Sequence, residues 1–173
     1  MMSQPQSSGH LHEASCRRLI YVIGTYPGLT TTFIDREITM LRRWGIDLRI
    51  VAIRRPPASV PLSQDQQVLQ QGVIYLLPPA RRGLVLSQLY FILFHPWRYL
   101  VTVLYLLTRP HPSRRARWMT LLHFGEGVYA AYLVRKLHGE ALHAHFVERA
   151  ATVVLVMSRL LGRPYSLSIH AGP

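Results

Sequence analysis

Apolar positions in this chain fall into short unbroken runs that alternate with segments of helical spacing. Leu19-Ile20-Tyr21-Val22-Ile23-Gly24 follows Arg17-Arg18, is rich in β-branched residues and stops at a glycine, the pattern of a parallel strand buried on both faces. From Thr30 to Trp44, the residues Phe33, Ile34, Ile38, Leu41 and Trp44 recur near the 3.6-residue period. Thr30, Thr31 or Thr32 is available to cap that helix, and Gly45 to stop it. Asp47 to Ile53 is a second apolar run. Residues 19–53 therefore spell strand, helix, strand with short connections, and a right-handed βαβ unit is the expected result.

Pro56, Pro57 and Pro61 make a loop of the next stretch, with a short helix near Ser63 to Gln70 and a third strand from Val73 to Leu77, ended by Pro78-Pro79. Leu84 to Leu107 is the most apolar part of the chain, but His95-Pro96-Trp97-Arg98 interrupts it. The pieces Gly83 to Phe94 and Tyr99 to Leu107 are each too short to span a bilayer, which predicts two helices or one kinked helix. Trp118 to Leu137 has helical periodicity, with Gly125 and Gly127 as weak points. A short strand over Leu142 to Phe146, a helix over Val147 to Leu161 closed by Gly162, and a last strand over Pro164 to Ile169 complete the pattern. Five strands alternating with helices predict an α/β fold, a Rossmann-like parallel sheet with helices on both faces. Ligands of such sheets bind beyond the carboxyl ends of the strands. That directs attention to Gly24 to Thr32, Arg54-Arg55, His143 to Phe146 and His170 to Pro173.

Length and charge sharpen this picture. A chain of 173 residues, 49% apolar, holds one domain with a real core; residues 1–16 are polar and read as a disordered leader, and 17–173 as the domain. Twenty basic residues, all arginine except Lys136, face 8 acidic ones, for a net charge of +12. Phosphate-bearing partners follow from that balance: nucleotides, nucleic acid or an anionic leaflet. Nucleic acid is the least supported, because no reading helix, aromatic RNA-binding strand or zinc module is present. Cys16 is the only cysteine, which excludes an intramolecular disulfide framework and any cysteine-built metal site, and fits a cytoplasmic location. No acidic residue occurs between Gln66 and Gly125, whereas Arg81, Arg82, Arg98, Arg109, Arg114, Arg115 and Arg117 all do, with Trp97 and Trp118 among them. Arginine and tryptophan at the edges of amphipathic helices suit the headgroup layer of an anionic membrane. The alternative is that the apolar faces of these helices simply pack on the sheet.

Two constellations carry candidate chemistry. Gly24-Thr25-Tyr26-Pro27-Gly28-Leu29-Thr30-Thr31-Thr32 leads from the first strand into the first helix, where free N–H groups and the helix dipole favour a phosphate. It is neither the G-x-G-x-x-G fingerprint nor a Walker A loop. His143, His145 and His170 fall at the carboxyl edge of neighbouring strands. Three imidazoles could ligate zinc, but a single histidine acting on a sugar hydroxyl is the preferred reading, with no metal.

Together the two blocks resemble family 4 glycosyltransferases of the GT-B fold, in particular the bacterial exopolysaccharide and colanic-acid type. Ile23-Gly24-Thr25-Tyr26-Pro27-Gly28-Leu29-Thr30-Thr31-Thr32-Phe33-Ile34, then Glu37, Leu41 and Gly45, is similar to that family's opening, F-P-x-x-S-E-T-F-I. Leu142-His143-Ala144-His145-Phe146 through Gly162 to His170-Ala171 is similar to its H-x-H-F helix and following strand. The resemblance implies the acceptor-side half of a two-domain enzyme that moves a sugar from a nucleotide-sugar donor to a glycan or lipid-linked acceptor, without a cofactor. It implies His145 at the reacting sugar, with Gly28, Thr30, Thr31, His143 and His170 as substrate or donor contacts. It also implies a place on the inner face of the plasma membrane, approached through Arg81, Arg82, Trp97, Arg98, Arg114, Arg115 and Arg117. Thr30-Thr31-Thr32 departs from the family's S-E-T, and the sequence stops where the donor-binding domain would begin, so the half alone is expected to be inactive. A rival expectation is a non-catalytic module that binds a membrane surface or a partner.

Overall fold

The structure is a computed structural model that describes residues 18–28, 31–137, 139–145 and 149–169. The expected leader, Thr30, Phe146 and His170 lie outside the described residues. β1 (Arg18–Thr25), β2 (Asp47–Arg54), β3 (Val73–Tyr75), β4 (Ala141–His145) and β5 (Tyr165–Ser168) form one parallel sheet in the order β3-β2-β1-β4-β5. The order reverses direction beside β1, which is where a doubly wound sheet opens a crevice at its carboxyl edge. The chain is thus an α/β Rossmann-like domain, as its alternating runs predict.

Period-two alternation sends the side chains of each strand to opposite faces. Tyr21, Ile23, Ile50 and Ala52 face α1 (Thr32–Arg43), which answers with Ile34 and Ile38, both fully buried. Each contributes about 1.5–3 kcal/mol by leaving water. Trp44 follows as the C-cap, and Gly45 at φ +80° closes the helix in the left-handed region that a glycine adopts without strain. α2 (Gln64–Gln71) starts with a capping box, Ser63 accepting from the Gln66 amide while the Gln66 side chain returns to the Ser63 amide.

On the opposite face Ile20, Val22, Val51, Ile53, Leu142 and Ala144 meet a thicker layer made by α3 (Arg81–Phe94), α4 (Pro96–Thr108), α5 (Arg114–Val134) and α6 (Arg149–Leu161). Helices therefore cover both faces. α3 and α4 are separate and bend by 111° at His95, with Pro96 in the first turn of α4, where its missing N–H costs nothing. Among the described residues no single helix is long and apolar enough to cross a membrane. α5 begins at Arg114, four residues before the predicted start, because the Ser113 hydroxyl accepts from the Ala116 amide and the arginines wind into the first turn. β3 ends at Tyr75, two residues early, ahead of Pro78.

Candidate functional site at the carboxyl edge of the sheet

β1 and β4 are paired in register, Tyr21 opposite His143 and Val22 opposite Ala144. Residues two apart in a strand share a face, so His143 and His145, the latter the last residue of β4, both project toward α1 beside Tyr21. Their rings lie 4.6 Å apart, and each is 5.0 Å from the Tyr21 ring. α1 supplies the roof. Phe33 and Glu37, four residues apart and hence on one helix face, sit over this group, with the Phe33 ring 6.2 Å from His145 and Glu37 Oε2 3.6 Å from His145 Nε2.

The carboxylate is held from below. Tyr21 donates its hydroxyl to Glu37 Oε1 at 2.5 Å, and burial together with that carboxylate pushes the phenol far above its ordinary pKa, so it remains a donor at any physiological pH. His143 in turn lies 2.7 Å from Ser166 Oγ through Nδ1 and 3.1 Å from Ser168 Oγ through Nε2, so β5 fixes its ring plane. The result is a tyrosine, a carboxylate and two imidazoles in one cluster.

The Gly28 loop has its own scaffold. Tyr26 is buried and gives its hydroxyl to Asp35 Oδ1 at 2.6 Å, while its carbonyl accepts from the Tyr75 hydroxyl at 3.0 Å. The Gln66 side-chain amide bridges Asp35 Oδ2 (2.9 Å) and the Gly28 carbonyl (3.3 Å), tying α2 to the loop. Burial and the Asp35 carboxylate hold the Tyr26 phenol well above its usual range. Thr31 is the N-cap of α1, yet its hydroxyl turns back to the Gly28 amide and carbonyl, both at 2.8 Å, and does not cap the helix. Thr31 thus closes the loop onto Gly28.

Of the expected site residues, His143 and His145 come together, and Gly28 and Thr31 share the adjacent loop. The resemblance put His145 against the reacting sugar. Its ring is only 1% exposed, whereas the Glu37 side chain beside it is 41% exposed. Glu37, His143 and His145 also place one ligand atom each within 4.8 Å of one another, a set that could hold a divalent cation. Tyr21, Asp35 and Gln66 had no individual signal as site residues. In retrospect Tyr21 could have been found by pairing the alternation of the first strand with that of the histidine strand. Comparisons of the chain with protein-family models, curated proteins and solved structures find no match.

The basic residues expected at a membrane divide. Arg81, Arg82, Arg114, Arg115 and Arg117 are exposed on α3 and α5. Arg98 is exposed as well but also reaches across to α6, donating through Nη1 to the Leu160 carbonyl at 3.2 Å, beside Gly162 at φ +69°. That satisfies a carbonyl the helix end leaves open, in the place where the dipole favours a cation.

Proposed function

We propose that the chain is the acceptor-side domain of a sugar transferase that uses a nucleotide-sugar donor and a glycan or lipid-linked acceptor in cell-surface polysaccharide synthesis. The observation that carries the reading is the convergence of Glu37, Tyr21, His143 and His145 at the carboxyl edge, next to a helix amino end reached through the Gly28 loop. A partly exposed carboxylate can accept from a sugar hydroxyl, and an imidazole beside it can donate or accept. The dipole at the amino end of α1 favours a donor phosphate. In this reading Glu37 and His143 touch the sugar, and His145 acts by holding Glu37 in position. The resemblance of the two sequence blocks to family 4 glycosyltransferases supplies the reaction class.

A sugar-transfer assay on the chain, and on the chain extended through its downstream reading frame, tests this. Transfer in the extended form is expected to fall by about 100-fold in Glu37→Gln with nucleotide-sugar affinity little changed, since the loss is of a group positioned for the reacting step. His145→Ala is expected to follow it in direction. Wild-type turnover in Glu37→Gln, with the fold intact by circular dichroism, removes this cluster from the reaction.

A further inference from the structure

Three mutually packed helices each turn an apolar stripe to solvent. On α3 it is Val85, Leu86, Leu89, Ile92 and Leu93, at positions i, i+1, i+4, i+7 and i+8; on α4 it is Trp97, Leu100 and Leu104; on the first half of α5 it is Trp118, Met119 and Leu122. These are the outward faces, because Ser87 and Phe91 of α3, Thr102 and Leu106 of α4 and Phe124 of α5 are the buried ones. An exposed apolar surface spread over three neighbouring helices marks a binding surface.

The surrounding charge identifies what it binds. Arg81 and Arg82 occupy the first turn of α3, and Arg114, Arg115 and Arg117 the first turn of α5, with no acidic residue in either. Both are positive ends of helix dipoles, where a cation is disfavoured unless an anion is nearby. Arg81 and Arg82 also line, with Val85 and Leu86, a shallow hollow whose walls are almost wholly apolar. A guanidinium pair beside an apolar hollow matches a phosphate headgroup above the start of its acyl chain. A second copy of the chain fits poorly, since a two-fold contact through this face sets the arginines against themselves.

We propose that the outward faces of α3, α4 and the start of α5 dock on the headgroup layer of an anionic lipid leaflet, lying in its plane. The 111° bend at His95 keeps the two apolar helices from forming one straight span, while Trp97 and Trp118 bring amphipathic rings to the depth where such rings settle. The proposal does not rest on the sugar-transfer reading, because its test needs no nucleotide sugar.

The test is co-sedimentation of the 173-residue chain with phosphatidylcholine vesicles and with mixed phosphatidylcholine–phosphatidylglycerol vesicles, at low and high salt. Binding to the mixed vesicles alone, weakened by salt, is expected. The triple substitution Arg114→Gln, Arg115→Gln, Arg117→Gln should weaken it by on the order of 100-fold. Leu93→Ser with Trp97→Ser, both exposed and so tolerable to the fold, should weaken it roughly 10-fold or more. Equal binding to both vesicles, binding unaffected by the serine pair, release only by detergent, or a concentration-dependent dimer in sedimentation velocity that competes with the vesicles would each overturn the proposal.

Discussion

Asp47 opens β2 directly opposite Arg18 of β1, and the Arg18 guanidinium donates through Nε to its carboxylate at 2.5 Å, with Arg49 Nε 3.1 Å from the other oxygen. The hydrogen bond from Arg18 is the main cause that holds this carboxyl below the ordinary range. A depressed carboxylate stabilises the fold above its unfolded pKa, near 4, and that stabilisation is lost as pH falls through the folded value. Asp47→Asn is therefore expected to cost about 0.5–1 kcal/mol at neutral pH, a modest figure because the pair is partly exposed. Urea titrations across pH check it: the gap between the two proteins should close below about pH 4. Interactions of this kind are hard to read from sequence. Asp47 and Arg18 are 29 residues apart, and only the register of the pairing makes them neighbours. The same holds for Glu37, which earns its place in the cluster through Tyr21 and His145, contributed by two different strands. The histidines were legible because H-x-H on a strand sends both rings to one face; their partners were not, because those partners come from elsewhere in the chain.

At the scale of elements, α6 packs tightly against α5 at Gly127. A Cβ built there would lie 2.6 Å from Val156 Cβ and 3.2 Å from the Val153 carbonyl, whereas one at Gly125 meets nothing within 4 Å. Both glycines weaken the helix to the same intrinsic extent, so sequence treats them alike. Packing separates them. Gly127→Ala is expected to destabilise by about 1–3 kcal/mol through overpacking, while Gly125→Ala should stabilise by about 0.5–1 kcal/mol through helix propensity. Thermal melts of the two variants, read as shifts of opposite sign, check both. The elements themselves were largely visible: β1, β2 and β4 are apolar runs, and α1 and α6 end at Gly45 and Gly162 as expected. The start of α5 was missed because three arginines in four residues read as an exposed edge, although Ser113 supplied the cap signal.

Considered whole, the domain has two unequal sides divided by its sheet. The α1 side carries the tyrosine–carboxylate–imidazole cluster, and the α3–α6 side carries the larger core and the arginine-edged apolar surface. Alternation of strands and helices was sufficient to predict this layering, because parallel strands need crossovers and crossovers of one hand fill both faces. It was not sufficient to say which helices would carry apolar side chains on both their inner and outer faces, since a stripe that packs on the sheet and a stripe that faces outward look alike along the chain.

All three tryptophans stand at the surface: Trp44 is 70%, Trp97 77% and Trp118 70% exposed. Indole emission shifts to the red in water, so the folded chain should already fluoresce nearly as an unfolded one does. Denaturation is therefore expected to give a clear transition by circular dichroism and almost none in emission wavelength; a large red shift on unfolding would mean that at least one indole is sheltered in solution. Two of the three indoles lie on α4 and α5 and the third at the end of α1, so the protein carries an optical probe of its outer helices that is silent to its own folding.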